Sequence, residues 1–152
     1  MRVLVCGGRH FENVDAVHRE LIRFHWRIPI TVIIHGGVTG AGAIAEAWAR
    51  RNRVAVVRYP PNWECLGKRA EKLRNDFMLA DSRPAFVIAF PGGRNTADLV
   101  AKASAAGLPV HYSVEENRAD YPRQVSVLED AGRTGLVTRR SEQTADASDR
   151  AA

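Results

Sequence analysis

Apolar residues in this chain come in short unbroken runs, separated by longer stretches in which they recur at helical spacing. Val3-Leu4-Val5, Val32-Ile33-Ile34, Val54-Ala55-Val56-Val57 and Phe86-Val87-Ile88-Ala89-Phe90 predict strands over 2–6, 30–35, 54–59 and 85–90, and a short fifth follows Gly107 at 108–112. Between them, Val14, Val17, Leu21 and Phe24 share one face of a helix near 13–25, with Asn13 placed to cap it, and Ala41, Ile44 and Trp48 align in a helix near 41–51. Ala70, Leu73, Phe77 and Ala80 predict the buried stripe of a third helix that ends before Pro84, and a fourth runs over 96–106. Strands that are apolar throughout are buried on both faces, and strands alternating with helices pair in parallel. The pattern therefore predicts an open three-layer α/β sandwich with strand order 3-2-1-4-5, not a β-sandwich or barrel. Beyond about residue 115 the periodicity weakens. Val125, Val127 and Leu128 predict a short docking element, and the small, charge-alternating stretch 138–152 predicts a mobile end, so the expected division is a domain over 1–114 and a partly disordered extension over 115–152.

Each of three predicted strands runs into a glycine cluster. Cys6-Gly7-Gly8-Arg9 follows the first, His35-Gly36-Gly37-Val38-Thr39-Gly40-Ala41-Gly42 the second, and Pro91-Gly92-Gly93-Arg94-Asn95-Thr96 the fourth. In the predicted strand order these loops meet at one sheet edge, beside the reversal point where a ligand crevice forms. Glycine permits tight turns and close approach to an anion, and the start of the following helix supplies unpaired N–H groups, so the clusters point to a nucleotide phosphate. Arg9 and Arg94, each beside a glycine pair, have the planar fork that grips phosphate in bidentate fashion, although an ordinary salt bridge suits Arg9 equally. Thr96 is placed to cap a helix or touch phosphate. His35 ends a strand at the crevice, where a ribose contact and a loop-holding role both fit.

Composition narrows the classes. Residues 1–114 carry 16 Lys or Arg against 9 Asp or Glu, whereas residues 115–152 carry 6 against 8, so the predicted domain is basic and suits an anionic ligand. There is no long basic block and no interleaved aromatic stripe, yet nucleic acid stays open as a partner. Cys6 and Cys65 form no disulfide framework, no stretch reaches membrane-spanning length, and the early first strand leaves no room for a signal peptide; the expected compartment is the cytoplasm. The five histidines lack metal-ligand spacing, so neither a metal nor a resident cofactor is expected, and a homodimer is an open possibility. The glycine spacing is neither that of a Walker ATPase nor that of a dinucleotide enzyme.

Taken in order, Gly7-Gly8-Arg9-X-Phe11, His35-Gly36-Gly37-X-X-Gly40-Ala41, Trp63, Arg74-Asn75-X-X-Met78 and Ile88-Ala89-Phe90-Pro91-Gly92-Gly93-X-X-Thr96-Ala97-Asp98 resemble the YspA-type branch of the SLOG superfamily, related to YpsA. The resemblance covers roughly residues 1–112. It implies a Rossmann-like domain that binds a nucleotide or nucleotide-derived ligand, with Gly7, Gly8, Arg9, His35, Gly36, Gly37, Gly40, Arg74, Asn75, Pro91, Gly92, Gly93, Arg94, Asn95 and Thr96 as candidate ligand-binding residues. More distantly the chain is similar to the lysine-decarboxylase-like LOG enzymes, which split nucleoside monophosphates into base and ribose 5-phosphate, and to the single-stranded-DNA-binding protein DprA. Against the LOG pattern Pro-Gly-Gly-X-Gly-Thr-X-X-Glu, this chain has Asn95 for the later glycine and Leu99 for the catalytic glutamate, while Arg74 matches the arginine beside the substrate. Asp98 lies one residue from the lost carboxylate, a rotation of about 100 degrees on a helix. Within the YspA-type branch the second cluster commonly ends Gly-Ala-Asp; here the acid's place is taken by Gly42. The expectation is a binding or sensing domain for a nucleotide-like small molecule. A nucleoside monophosphate N-glycosidase is the second reading and single-stranded DNA binding the third; no catalytic residue is assigned.

Overall fold

The computed structural model describes residues 1–37 and 39–113. β1 (Arg2–Cys6), β2 (Val32–His35), β3 (Ala55–Arg58), β4 (Phe86–Ala89) and β5 (Val110–Tyr112) form one parallel sheet in the order β3-β2-β1-β4-β5. The connections are α1 (Val14–Arg27), α2 (Gly40–Arg51), a short α3 (Trp63–Leu66) running through a 3-10 turn at Gly67–Arg69 into α4 (Ala70–Ser82), and α5 (Arg94–Ala105). This is the Rossmann-like three-layer arrangement that the alternation predicts. The extension expected over 115–152, with its docking element, lies outside the described residues.

Because successive strand residues face opposite sides, each strand feeds two cores. Val3 and Val5 of β1, Ile33 of β2 and Phe86 and Ile88 of β4 pack with Val17, Leu21 and Phe24 of α1 and Ala45 and Trp48 of α2. Leu4 and Cys6, Ile34, and Val87 and Ala89 pack on the other face with Met78 of α4 and Leu99, Val100 and Ala103 of α5. β1 is central: it pairs with β2 from Arg2–Val32 to Leu4–Ile34 and with β4 from Val3–Phe86 to Cys6–Ala89. The reversal of strand order therefore falls between β1 and β4.

The helices differ from expectation in three places. The Asn13 side chain caps α1, accepting from the Ala16 amide at 2.9 Å, but Val14 lies outside the buried stripe, and Ile22 and Trp26 also point outward, Trp26 with 83% of its surface exposed. In α4 the expected stripe is wrong by part of a turn. Phe77 is 61% exposed, and the face against the sheet is Ala70, Asn75, Met78 and Ser82. The inward polar groups are satisfied: Ser82 Oγ donates to the Met78 carbonyl at 2.6 Å, and Asn75 donates from Nδ2 to Asn95 Oδ1 at 2.8 Å and to Asp98 Oδ2 at 3.0 Å. The short α3, capped by Asn62 accepting from the Cys65 amide at 3.1 Å, has no buried residue and so no periodic signature. Among the described residues no helix is long and apolar enough to cross a membrane.

Candidate functional site

The loops that follow β1, β2 and β4 stand at the same edge of the sheet because all three strands run in the same direction. The Gly8 amide donates to the Pro91 carbonyl at 2.8 Å, tying the first loop to the third, and the Phe11 amide closes a turn onto the Gly8 carbonyl at 3.1 Å. Together with the segment after β3 and the start of α4 they enclose a crevice of about 1010 Å³. Val5, Cys6, Met78 and Leu99 line it from the core, Phe11, Pro60, Pro61 and Trp63 add rings, and Arg9, Glu71, Arg74 and Arg94 supply the charge.

The glycines divide by what surrounds them. A side chain at Gly7 would meet Ala41 Cβ at 2.7 Å, and one at Gly92 would run into Thr96 and come within 2.7 Å of the Gly8 amide nitrogen. Gly40 has a left-handed φ of +68° and no room for a Cβ beside the Gly8 carbonyl. These positions hold the loops against one another. Position 42, where the resemblance leads to an expected acid, is filled from the other side: a Cβ there would lie 2.8 Å from His35 Nδ1, so the glycine accommodates the histidine ring. Of the two glycines in the turn after β4, Gly93 opens outward, with nothing within 4 Å of the direction its side chain would take. It is also the residue before α5, whose start carries no side-chain cap, so the first amides of that helix are left for another acceptor. Thr96, one of the two roles expected for it being a cap, instead lies inside the first turn and is buried.

Three guanidinium groups reach the crevice in different states. Arg74 donates from Nε to Asn75 Oδ1 at 2.9 Å and from Nη1 to the Gly36 carbonyl and, at 2.9 Å, to the Tyr59 carbonyl, so it is fixed across the ends of β2 and β3. Burial lowers its pKa from the ordinary arginine value, and Glu71 opposes that shift. Arg9 pairs with Glu71, Nη2 to Oε1 at 3.1 Å. Arg94 is exposed and has no side-chain partner among the described residues. Cys6 is a core residue: burial pushes its thiol up to about 12, which leaves it protonated and unsuited to nucleophilic attack.

Of the residues expected at the site, Gly7, Gly8, Arg9, Gly36, Gly37, Arg74, Pro91, Gly93, Arg94, Asn95 and Thr96 line the crevice; His35, Gly40, Asn75 and Gly92 do not. His35 is fully buried and donates from Nε2 to Glu46 Oε2 at 2.9 Å. Burial is the main influence holding its pKa below the ordinary histidine value, against the pull of Glu46. Asn75 joins α4 to the start of α5 through Asn95 and Asp98. Asp98, one residue from the position of the LOG glutamate, is engaged with Asn75 and Lys102, and the carboxylate of Glu46 is taken up by His35, Arg50 and Arg58. Sequence reasoning missed Glu71 and the rings of Pro60 and Pro61. Glu71 sits in a run of charges that reads as a solvated helix face, and only its i,i+3 spacing from Arg74 places the two on one side of α4.

A family model described as "YspA, cpYpsA-related SLOG family" matches residues 1–65. The Gene 61 protein of Mycobacterium phage D29 is 35% identical over 120 residues, which span 72% of this chain and 93% of that protein. No solved structure matches.

Proposed function

The chain belongs to the YspA, cpYpsA-related SLOG family, and from that membership together with the crevice we propose that it binds a phosphorylated nucleotide or nucleotide-derived ligand. The observation that carries this reading is the open start of α5: an uncapped helix N-terminus, bare space at Gly93, and the Arg94 and Arg74 side chains, all on one crevice. Helix-start amides and a guanidinium are what a phosphate monoester needs, since its oxygens accept several hydrogen bonds at once. The ring-lined wall formed by Trp63, Pro60 and Pro61 offers the base a flat apolar surface.

Binding is favoured over cleavage. Leu99 lines the crevice at the position where LOG enzymes carry their glutamate, and an alkyl side chain neither accepts a proton nor stabilises a developing sugar cation. Purified protein is expected to release no free base from nucleoside monophosphates, and sustained turnover in a base-release assay would replace the binding reading with the hydrolase. The direct test is native mass spectrometry of freshly purified protein, which should show a retained nucleotide-sized mass, followed by calorimetric titration with the compound found. Tight, length-dependent binding of single-stranded oligonucleotides that collapses with added salt, with no affinity for mononucleotides, would favour nucleic acid instead.

A further inference from the structure

Glu71 is out of place in an anion-binding crevice. It is the one carboxylate lining it among the described residues, set among Arg9, Arg74 and Arg94. Its ion pair with Arg9 joins side chains that are 28% and 62% exposed, and a pair so open to water contributes little to the fold. The bonds from Arg74 to the Gly36 and Tyr59 carbonyls hold the start of α4 against the ends of β2 and β3, and the pair of Glu71 with Arg9 carries it on to the loop after β1, next to β4 in the sheet. The first turn of α4, where Glu71 sits, therefore stands between the rings that follow β3 and the open helix start that follows β4. In a nucleotide, what lies between base and phosphate is the sugar.

We propose that Glu71 reads the ribose, accepting hydrogen bonds from its 2′- and 3′-hydroxyls, and so makes the site selective for ribonucleotides over 2′-deoxyribonucleotides. The inference rests on the nucleotide-binding reading above and deepens it. An ionised carboxylate is an acceptor only, so it suits a pair of neutral O–H donors and repels a second phosphate. Arg9 holds Oε1 and leaves Oε2 to the sugar. A vicinal diol engaging a carboxylate makes charge-assisted bonds, and a ligand lacking one hydroxyl forfeits a bond that the site was built to make.

The experiment is calorimetric titration of the full chain with AMP, GMP, CMP and UMP, each beside its 2′-deoxy counterpart, for wild type, Glu71→Ala and Glu71→Gln, with thermal melts confirming that each variant folds. Expected is a ribo preference of roughly 10- to 100-fold in wild type for the base that binds, reduced to about 2-fold or less in Glu71→Ala because ribo affinity falls further than deoxy affinity, and partly retained in Glu71→Gln, whose amide oxygen still accepts. Equal ribo and deoxy affinity in wild type would overturn the inference and leave nucleotide binding standing. A change in Glu71→Ala that is the same for both sugars would also overturn it, assigning Glu71 a structural or purely electrostatic role. Absence of binding by all eight compounds would remove the nucleotide reading and this inference with it.

Discussion

Glu46 and Glu71 both project from helices toward arginines, and the contrast between their surroundings separates what holds this fold together from what the crevice is free to do. Glu46, on the buried side of α2, is saturated: His35 Nε2 at 2.9 Å, Arg50 Nη2 at 2.6 Å and Arg58 Nη2 at 2.6 Å. Hydrogen bonds from these groups, Arg58 foremost, hold its carboxyl down at about 2. Glu71 has a single exposed arginine and an open oxygen. A saturated carboxylate joins strands and helix; an unsaturated one in a cavity is available to a ligand.

The largest effect is expected at the saturated site. Glu46→Ala should lower stability by about 2–3 kcal/mol, read by urea or thermal unfolding, because it strands the buried His35 ring and the Arg58 head at once; the open guanidinium ends keep the figure below that of a fully buried pair. Stability should also be acid-sensitive. Glu46 has a folded pKa depressed from 4.5 to about 2, so its contribution is present above about pH 4.5 and is lost as pH falls toward 2. His35, depressed from 6.5, adds stability above that pH that fades as pH falls through its folded value. Glu46→Gln should flatten the lower part of this acid limb; an unchanged limb would break the comparison.

At the crevice the effects move to binding. Arg74→Ala should weaken nucleotide affinity by about 1.5–2.5 kcal/mol, measured by titration, through loss of a charge-assisted bond. The neighbouring glycines sharpen the distinction. Gly92→Ala should destabilise the fold by about 1–2 kcal/mol, since its Cβ meets Thr96 and the Gly8 amide, whereas Gly93→Leu should leave the melt within about 0.5 kcal/mol of wild type and reduce nucleotide affinity at least tenfold by filling the proposed phosphate position. The smallest effect belongs to Arg50→Ala: its side chain is 72% exposed, and the melt should change by less than about 1 kcal/mol although the same carboxylate is involved.

Strand order and the meeting of the glycine loops were legible because buried parallel strands need unbroken apolar runs, and because glycine is demanded wherever three loops crowd together. The face of α4 was not. Hydrophobic periodicity assigns Phe77 inward, but the sheet receives Asn75 and Ser82, whose hydrogen bonds to Asn95, Asp98 and the Met78 carbonyl make polar burial affordable. Nor does sequence distinguish Gly92, which packs, from Gly93, which opens, since that depends on where Thr96 and Gly8 lie in space. His35 illustrates the same limit. Its position at a strand end was legible, whereas its turn away from the crevice depends on Glu46, eleven residues later and on the next helix.

The central position of β1 has a consequence in time. It pairs with β2 about thirty residues on, but its other neighbour, β4, pairs Phe86 with Val3, a separation set by everything between them. The half containing β1, β2 and β3 can close on nearby contacts, while docking of β4 waits for a long loop to find its ends and is entropically the slower event. The crevice lies across that late seam, on the Gly8–Pro91 hydrogen bond. A ligand that grips both sides has nothing to hold until the seam has closed, so it should act chiefly as a clamp: slowing the escape of the finished molecule from its native state while leaving the speed of its assembly nearly unaltered.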